Sequence, residues 1–561
     1  MKSLSKSFFF GLLFLFIAQN LTASESFPDE QKVKGILKQR IDVNQRSVGI
    51  VVGLVDENGS QVISYGEMKK GGGQTPDGKS VFEIGSISKA FTGILLADMV
   101  QRGKLKLDDP VGKFLPKDVK MPGRGGKQIT LLNLTQHTSA LPRLPSNMNA
   151  ADPKNPYADY TIEMMYEFLS GHELERDIGE KAAYSNLGAG LLGHALALKA
   201  GKSYEELMIE RIAKPLGMKD TRIALTEDMK KRLATGHNQG GEPTSNWDIP
   251  ALAGAGAIRS TVDDMIIFMQ ANLGLKKSKL SKAMQASHGN RTDFSVENME
   301  VGLGWIVSNT DQGDIIWHNG GTGGYRTFCG FDKEKKRGVV VLTNSANSAD
   351  DIGLHLLDSK NELAKFDPPP KETEVNVDKL ADYAGKYQLA PGFFFTVTPK
   401  EDKLFVQITG QPEAQVYPES EDKFFYKIVD AQIKFNRDDN GAVKELVLFQ
   451  NGREQTAKKL GEGEKAEERK EIAVDEKIMA QYVGKYQLAP TFIMTITLEN
   501  GALFVQATGQ PKIPVFAESE TKFFAKVVPA QISFVKGDDG KVSHLILHQG
   551  GMDQKATRME E

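Results

Sequence analysis

The spacing of apolar residues divides the chain into regions of different period. From Phe8 to Ala18 the residues are almost continuously apolar, behind Lys2 and Lys6 and ahead of the small residues Thr22 and Ala23. A charged lead, a short apolar run and a small residue at the cut predict a secretory signal peptide over 1–23. The run is shorter than the about 20 apolar residues that span a membrane, so only an uncleaved leader would attach the chain to one. Gly49 to Val55 is apolar and β-branched, which predicts a buried strand. After a Gly-rich turn, Phe91, Ile94, Leu95 and Met99 recur at helical spacing, which predicts a helix beginning near Ser86. In the last third, runs such as Leu404–Ile408 and Leu446–Leu448 are divided by Asn440-Gly441 and its counterpart Asp539-Gly540, the mark of antiparallel strands joined by tight turns.

That last third is duplicated. Tyr383-Ala-Gly-Lys-Tyr-Gln-Leu-Ala-Pro391 recurs as Tyr482-Val-Gly-Lys-Tyr-Gln-Leu-Ala-Pro490, 99 residues later, and the same offset links Gly410 to Gly509, Pro412 to Pro511, Phe424 to Phe523 and Gln432 to Gln531. Two copies of one small all-β unit are expected, at 377–460 and 476–561, each with about eight strands closing into a barrel or sandwich so that no edge is left open. Pro368-Pro369-Pro370 stiffens the approach to the first copy. The charged stretch 461–475 between them has no apolar period and reads as a solvated linker. Residues 24–366 form a larger unit that mixes helix-like and strand-like stretches.

Composition narrows the function classes. The 561 residues are 40% hydrophobic and 25% charged, with a net charge of −3 and no basic block. That excludes disordered and multi-span membrane classes and leaves no footprint for nucleic acid. The one cysteine, Cys329, rules out an intrachain disulfide. It lies in a strand-like run, which suits a small buried hydrophobe better than a nucleophile. No Cys/His cluster has zinc spacing, so neither metal nor cofactor is expected.

Candidate chemistry sits in three places. Ser86-Ile-Ser-Lys89 puts a serine and a lysine three apart, on one helix face, where an amine can take a proton from a hydroxyl. Four other Ser/Lys pairs share this spacing, among them Ser420/Lys423 and Ser533/Lys536. Ser86 differs in its apolar lead-in, Phe82-Glu-Ile-Gly85, and in its place at a helix N-terminus, where free N–H groups favour developing negative charge. Tyr184-Ser-Asn186 precedes a small-residue apolar helix, and of the 13 tyrosines only Tyr184 has an asparagine two residues on. Trp317-His-Asn-Gly-Gly-Thr-Gly-Gly-Tyr325 carries glycines that let a backbone approach a ligand closely.

In this order the three motifs resemble those of the serine β-lactamase and penicillin-recognising family, over about residues 27–366. Thr135–Pro142 is similar to the family's H-T-S-G-L-P stretch, with Ala140 in place of glycine, and Pro215–Met218 is similar to its P-L-G-M. The Gly-rich run is closest to the class C branch and its esterase and D-amino-acid peptidase relatives, some of which carry similar C-terminal β modules. The resemblance implies an α+β fold, an antiparallel sheet flanked by helices with an all-helical subdomain, followed here by the two β units. It implies Ser86 as nucleophile forming an acyl-enzyme, Lys89 and Tyr184 as the proton-transfer pair, Asn186 as a ligand of the substrate amide, and the N–H groups of Ser86 and Gly321 as an oxyanion hole. Either Lys89 or Tyr184 could take the proton. His318, Asn319 and Gly320 stand where the family has a K-T-G triplet and are expected to line the substrate. His318 is mostly neutral at pH 7, which weakens carboxylate recognition unless Arg326 supplies the charge. The resemblance thus implies a periplasmic or secreted serine hydrolase acting on β-lactams, D-amino-acid peptides or amides, or small esters. The alternative is a non-hydrolysing protein that binds cell-wall peptides.

Overall fold

The computed structural model describes residues 27–559, apart from 149, 295, 367–369, 375, 430, 451–452, 462, 468, 490–491, 509, 511, 538 and 550–551. The leader predicted over 1–23, and Pro368 and Pro369, lie outside the described residues.

An eight-stranded antiparallel sheet organises the first unit. Its strands are β1 (Gly49–Asp56), β2 (Gly59–Gly66), β3 (Thr292–Asp293), β4 (Met299–Val301), β5 (Ile306–Thr310), β6 (Gly313–Gly321), β7 (Arg326–Asp332) and β8 (Arg337–Thr343), in the order β2-β1-β8-β7-β6-β5-β4-β3. The ends of the chain segment therefore meet inside the sheet, one strand in from its edge, where Ile50 pairs with Thr343 and Val55 with Gly338. Both faces of β1 are covered. Ile50, Val52 and Leu54 pack with α1 (Glu30–Lys38) and with a late helix through Val33, Leu37, Ile352 and Leu356. Val51 and Val55 face the larger core on the other side, with α2 (Ser88–Gln101), α3 (Asn186–Ala200) and α4 (Val262–Asn272). Burial on both faces is why β1 is apolar without alternation. The late helix is α5 (Asp350–Leu357). Between Leu131 and Gly256 the described elements are all helical, and the unit is α+β as expected.

The two repeats are closed barrels of eight antiparallel strands, from Gly385–Ala390 to Arg453–Lys459 and from Gly484–Ala489 to Met552–Arg558. Closure pairs first strand with last, Tyr387 with Lys459 and Tyr486 with Arg558. The turn glycines Gly441 and Gly540 have φ of 83° and 74°, which explains the Asn-Gly and Asp-Gly signals. Each barrel buries the same tyrosine pair, with Tyr387 donating to Tyr383 O at 2.7 Å and Tyr486 to Tyr482 O at 2.8 Å. The linker is not wholly solvated: Glu467 exchanges hydrogen bonds with Gln388 of the first barrel, and Arg469 pairs with Glu518 of the second at 3.4 Å.

Candidate active site

A short strand, Val81–Glu83, enters a single 3-10 turn over Gly85–Ile87 before α2 starts. Gly85 makes that corner, with φ of 51°; a Cβ there would lie 2.7 Å from Gly321 N, so β6 and the turn touch backbone to backbone. The turn leaves Ser86 partly accessible between buried neighbours, and Lys89, three residues on at the very start of α2, lies beneath it. Ser88, between them, accepts a hydrogen bond from Ile258 N at 3.1 Å and fixes the start of α2.

Lys89 is 2% exposed. Its Nζ lies 3.0 Å from Ser86 Oγ, 2.9 Å from Asn186 Oδ1 and 2.7 Å from Ala255 O. Burial holds its pKa well below the ordinary lysine value, and the Arg143 charge adds to the shift. The small residues of α3 account for the third contact. Cβ atoms at Gly190 and Gly193 would lie 2.5 Å from the Leu252 side chain and 2.8 Å from Gly254 Cα, so the segment bearing Ala255 packs directly on the helix.

Tyr184 and Asn186 flank the α3 N-cap. Ser185 caps the helix by accepting from Gly188 N at 2.9 Å and donates to Pro142 O at 2.6 Å, while its own N–H donates to His137 Nδ1 at 3.2 Å. These bonds set the Tyr184 ring, which has Lys89 Nζ 4.8 Å and Arg143 Cζ 5.1 Å from its centroid and the His137 ring 4.6 Å away. Burial pushes the Tyr184 phenol up to about 12, and the neighbouring Ser86 hydroxyl offsets part of that rise. Asn186 Nδ2 donates to Tyr157 OH at 3.2 Å, and the Tyr157 ring is 5.2 Å from Trp247. Glu83, buried beside Arg259 at 3.1 Å, accepts from Trp247 N at 3.0 Å and holds that wall in place.

On β6, His318 faces Tyr184 with ring centroids 6.2 Å apart. Its Nδ1 is 2.6 Å from Asn319 O; a carbonyl only accepts, so Nδ1 carries the proton and Nε2 is left as an acceptor. Burial, then the Lys89 charge, lowers its pKa to about 3, and His318 is neutral across the physiological range. Gly320 and Gly321 bring the strand onto the turn: a Cβ at Gly320 would lie 2.0 Å from Ile84 O.

The structure thus gathers Ser86, Lys89, Tyr184, Asn186, His318, Gly320 and Gly321 around one cleft. Asn319 is a correction to the sequence reading. Side chains alternate along a strand, and the Asn319 side chain lies on the opposite face, donating to Asp350 Oδ2 of α5 at 2.6 Å. Arg326 does not replace the missing lysine either, because the register pairs it with Gly321, on the face of Asn319 and opposite His318. It lies over Gly321, with Nη1 donating to Thr322 O at 2.8 Å and Tyr325 O at 3.0 Å. Cys329 is buried in β7, across from His318 in the register. His137, Arg143, Tyr157, Trp247 and Ala255 join the site without having been singled out from the sequence. His137 falls within the motif-like stretch Thr135–Pro142, and Arg143 follows it directly.

Comparison with known proteins identifies the family. Residues 30–359 match the family described as Beta-lactamase, and residues 369–459 and 468–561 each match a domain of unknown function, DUF3471. The chain is 35% identical over 313 residues to the D-alanyl-D-alanine-carboxypeptidase/endopeptidase AmpH of Escherichia coli K12, covering 53% of this chain and 80% of that one. It is 26% identical over 405 residues to penicillin-binding protein 4* of Bacillus subtilis, covering 67% and 87%. Among solved structures, a β-lactamase/D-alanine carboxypeptidase of Yersinia pestis complexed with citrate superposes with a TM-score of 0.50 at 29% identity, over 60% of this chain and 98% of that one.

Proposed function

The chain belongs to the beta-lactamase family of serine hydrolases, and from that premise we propose that it is an exported hydrolase that works through an acyl-enzyme on Ser86 and takes D-alanyl peptides and β-lactams as substrates. The observation that carries this reading is the buried Lys89 amine 3.0 Å from Ser86 Oγ. A neutral amine has two N–H groups and one lone pair. Ala255 O and Asn186 Oδ1 take the two N–H groups, and the lone pair faces the serine hydroxyl. Lys89 then takes the Ser86 proton as Oγ attacks the substrate carbonyl carbon. The N–H groups of Ser86 and Gly321 stabilise the oxyanion, where removing one such donor costs about 10²–10³ in rate. Tyr184, its phenol protonated at neutral pH, passes its proton to the departing nitrogen and takes in exchange the one Lys89 received, so both groups end as they began. Asn186 Nδ2 turns from Tyr157 to the substrate amide, His318 Nε2 accepts from a substrate N–H or from the incoming water, and water releases the acyl group. An N-terminal leader over 1–23 would deliver the enzyme to the periplasm or the medium.

Steady-state hydrolysis of a chromogenic cephalosporin and of an N-acyl-D-alanyl-D-alanine peptide, with Ser86→Ala and Lys89→Met beside the parent chain, tests the reading. It expects turnover of at least one compound, lost by a factor of about 10³ or more in each variant. Undiminished hydrolysis by Ser86→Ala would overturn it. A stable adduct without turnover would instead favour a binding protein.

A further inference from the structure

The face of the strand that lines the cleft offers no permanent cation: His318 is neutral, and Arg326, paired with Gly321, belongs with Asn319 to the opposite face. Lys89 is buried beneath Ser86 and its three neighbours account for it. One arginine at the cleft is placed differently. Arg143 is rooted rigidly: its carbonyl accepts from Asn186 N at 3.0 Å and Leu187 N at 3.2 Å, which staples its backbone to the first turn of α3. Its head is exposed and lies 5.1 Å from the Tyr184 ring centroid. Among the described residues no carboxylate pairs with it, whereas Arg232, Arg259 and Arg291 each have two acidic partners.

We propose that Arg143 recognises a carboxylate of the substrate and so sets the enzyme's preference for anionic over neutral acyl compounds. This rests on the reading of Ser86 given above. A guanidinium presents a planar fork of donors that matches a carboxylate bidentately. The cation–π contact with Tyr184 restrains the head, so less side-chain freedom is lost on binding. The charge lies close enough to the catalytic groups to depress Lys89, which fixes it at the cleft itself and not on a remote surface. The position also suits the division of labour in the cleft. The neutral His318 leaves the Gly-rich strand to the scissile amide, and the fixed positive charge stands on the α3 side, over the residue that handles the leaving group.

The test compares an N-acyl-D-alanyl-D-alanine with its C-terminal amide, which differ in one charge. Parent, Arg143→Gln, Arg143→Lys and Ser86→Ala full-length chains are assayed for kcat, KM and the pH profile. Arg143→Gln is expected to raise KM for the acid at least tenfold more than KM for the amide, and Arg143→Lys to recover part of the difference. Equal losses on both compounds, or a shift of the acid limb common to both, would mean that Arg143 acts only through Lys89 and would overturn the proposal. Turnover that survives Ser86→Ala overturns the nucleophile reading and leaves the acid-to-amide ratio to judge Arg143. No turnover of either compound by the parent chain overturns both.

Discussion

Replacing Gly320 by alanine tests how closely the proposed oxyanion hole depends on backbone contact. The new Cβ would lie 2.0 Å from Ile84 O and 2.4 Å from Thr327 Oγ1. Neither can rotate away freely, because Ile84 O is a backbone atom that already accepts from Thr327 Oγ1 at 2.9 Å, and Ile84 N is bonded to Ile258 O at 3.0 Å. The strand must therefore retreat from the turn by about 1 Å or more before a normal contact is restored. Gly321, the next residue, carries one of the two N–H groups assigned to the oxyanion, and Ser86 lies two residues beyond Ile84, so the retreat opens the hole. A misplacement of about 1 Å costs about 10²-fold in rate, and overpacking costs about 1–3 kcal/mol in stability. We expect kcat/KM for the better substrate to fall about a hundredfold, with a fold that still unfolds cooperatively. Initial rates and thermal unfolding of the two proteins measure both quantities. A Gly320→Ala enzyme within threefold of the parent would refute the backbone-contact argument.

Three further outcomes follow from the same structure. Gly35, exposed within α1 with nothing within 4 Å of its would-be Cβ, is the control position: Gly35→Ala is expected to add about 1 kcal/mol by thermal unfolding and leave kcat unchanged. His318 has a folded value of about 3 against an ordinary value of 6.5, so between those values the unfolded chain binds a proton that the folded chain refuses. Stability therefore falls as pH drops through that window, and His318→Gln is expected to flatten the fall by up to about 1.4 kcal/mol per pH unit; parallel pH curves for the two proteins would contradict it. Cys329 is fully buried and burial pushes its thiol up. Iodoacetamide is expected to leave it unlabelled until the first unit unfolds, and mass spectrometry of a native-state adduct would show otherwise.

How much of this was legible from the sequence varied with the range of the interaction. The repeat offset of 99 residues and the turn glycines are local signals, and they led directly to two barrels. Ser86 and Lys89 meet because they are one helical turn apart, and Tyr184 and Asn186 lie together because they flank one N-cap, contacts that short-range spacing encodes. Asn319 was misassigned because a Gly-rich run hides its own alternation: with no side chains at Gly320 and Gly321, only the pairing of β6 shows which face His318 takes. Arg326 is on the neighbouring strand, but its pairing with Gly321 puts it on the face opposite His318, which a count of residues along the chain does not show. Ala255, Tyr157 and Trp247 reach the site through contacts with residues distant in the chain, which no periodicity encodes. Ala140, the departure from the family's H-T-S-G-L-P stretch, adopts a φ of 64°, so the backbone keeps a glycine-like conformation there.

The central claim is that Ser86 carries the acyl group. Intact-protein mass spectrometry of the chain, quenched at short times after mixing with a chromogenic cephalosporin, measures it most directly, with peptide mapping to locate the adduct and Ser86→Ala as the comparison. The account predicts one adduct per chain, mapped to Ser86, that forms and decays with turnover and is absent from the variant. An adduct that persists in Ser86→Ala or maps elsewhere, or none in either protein, would contradict it.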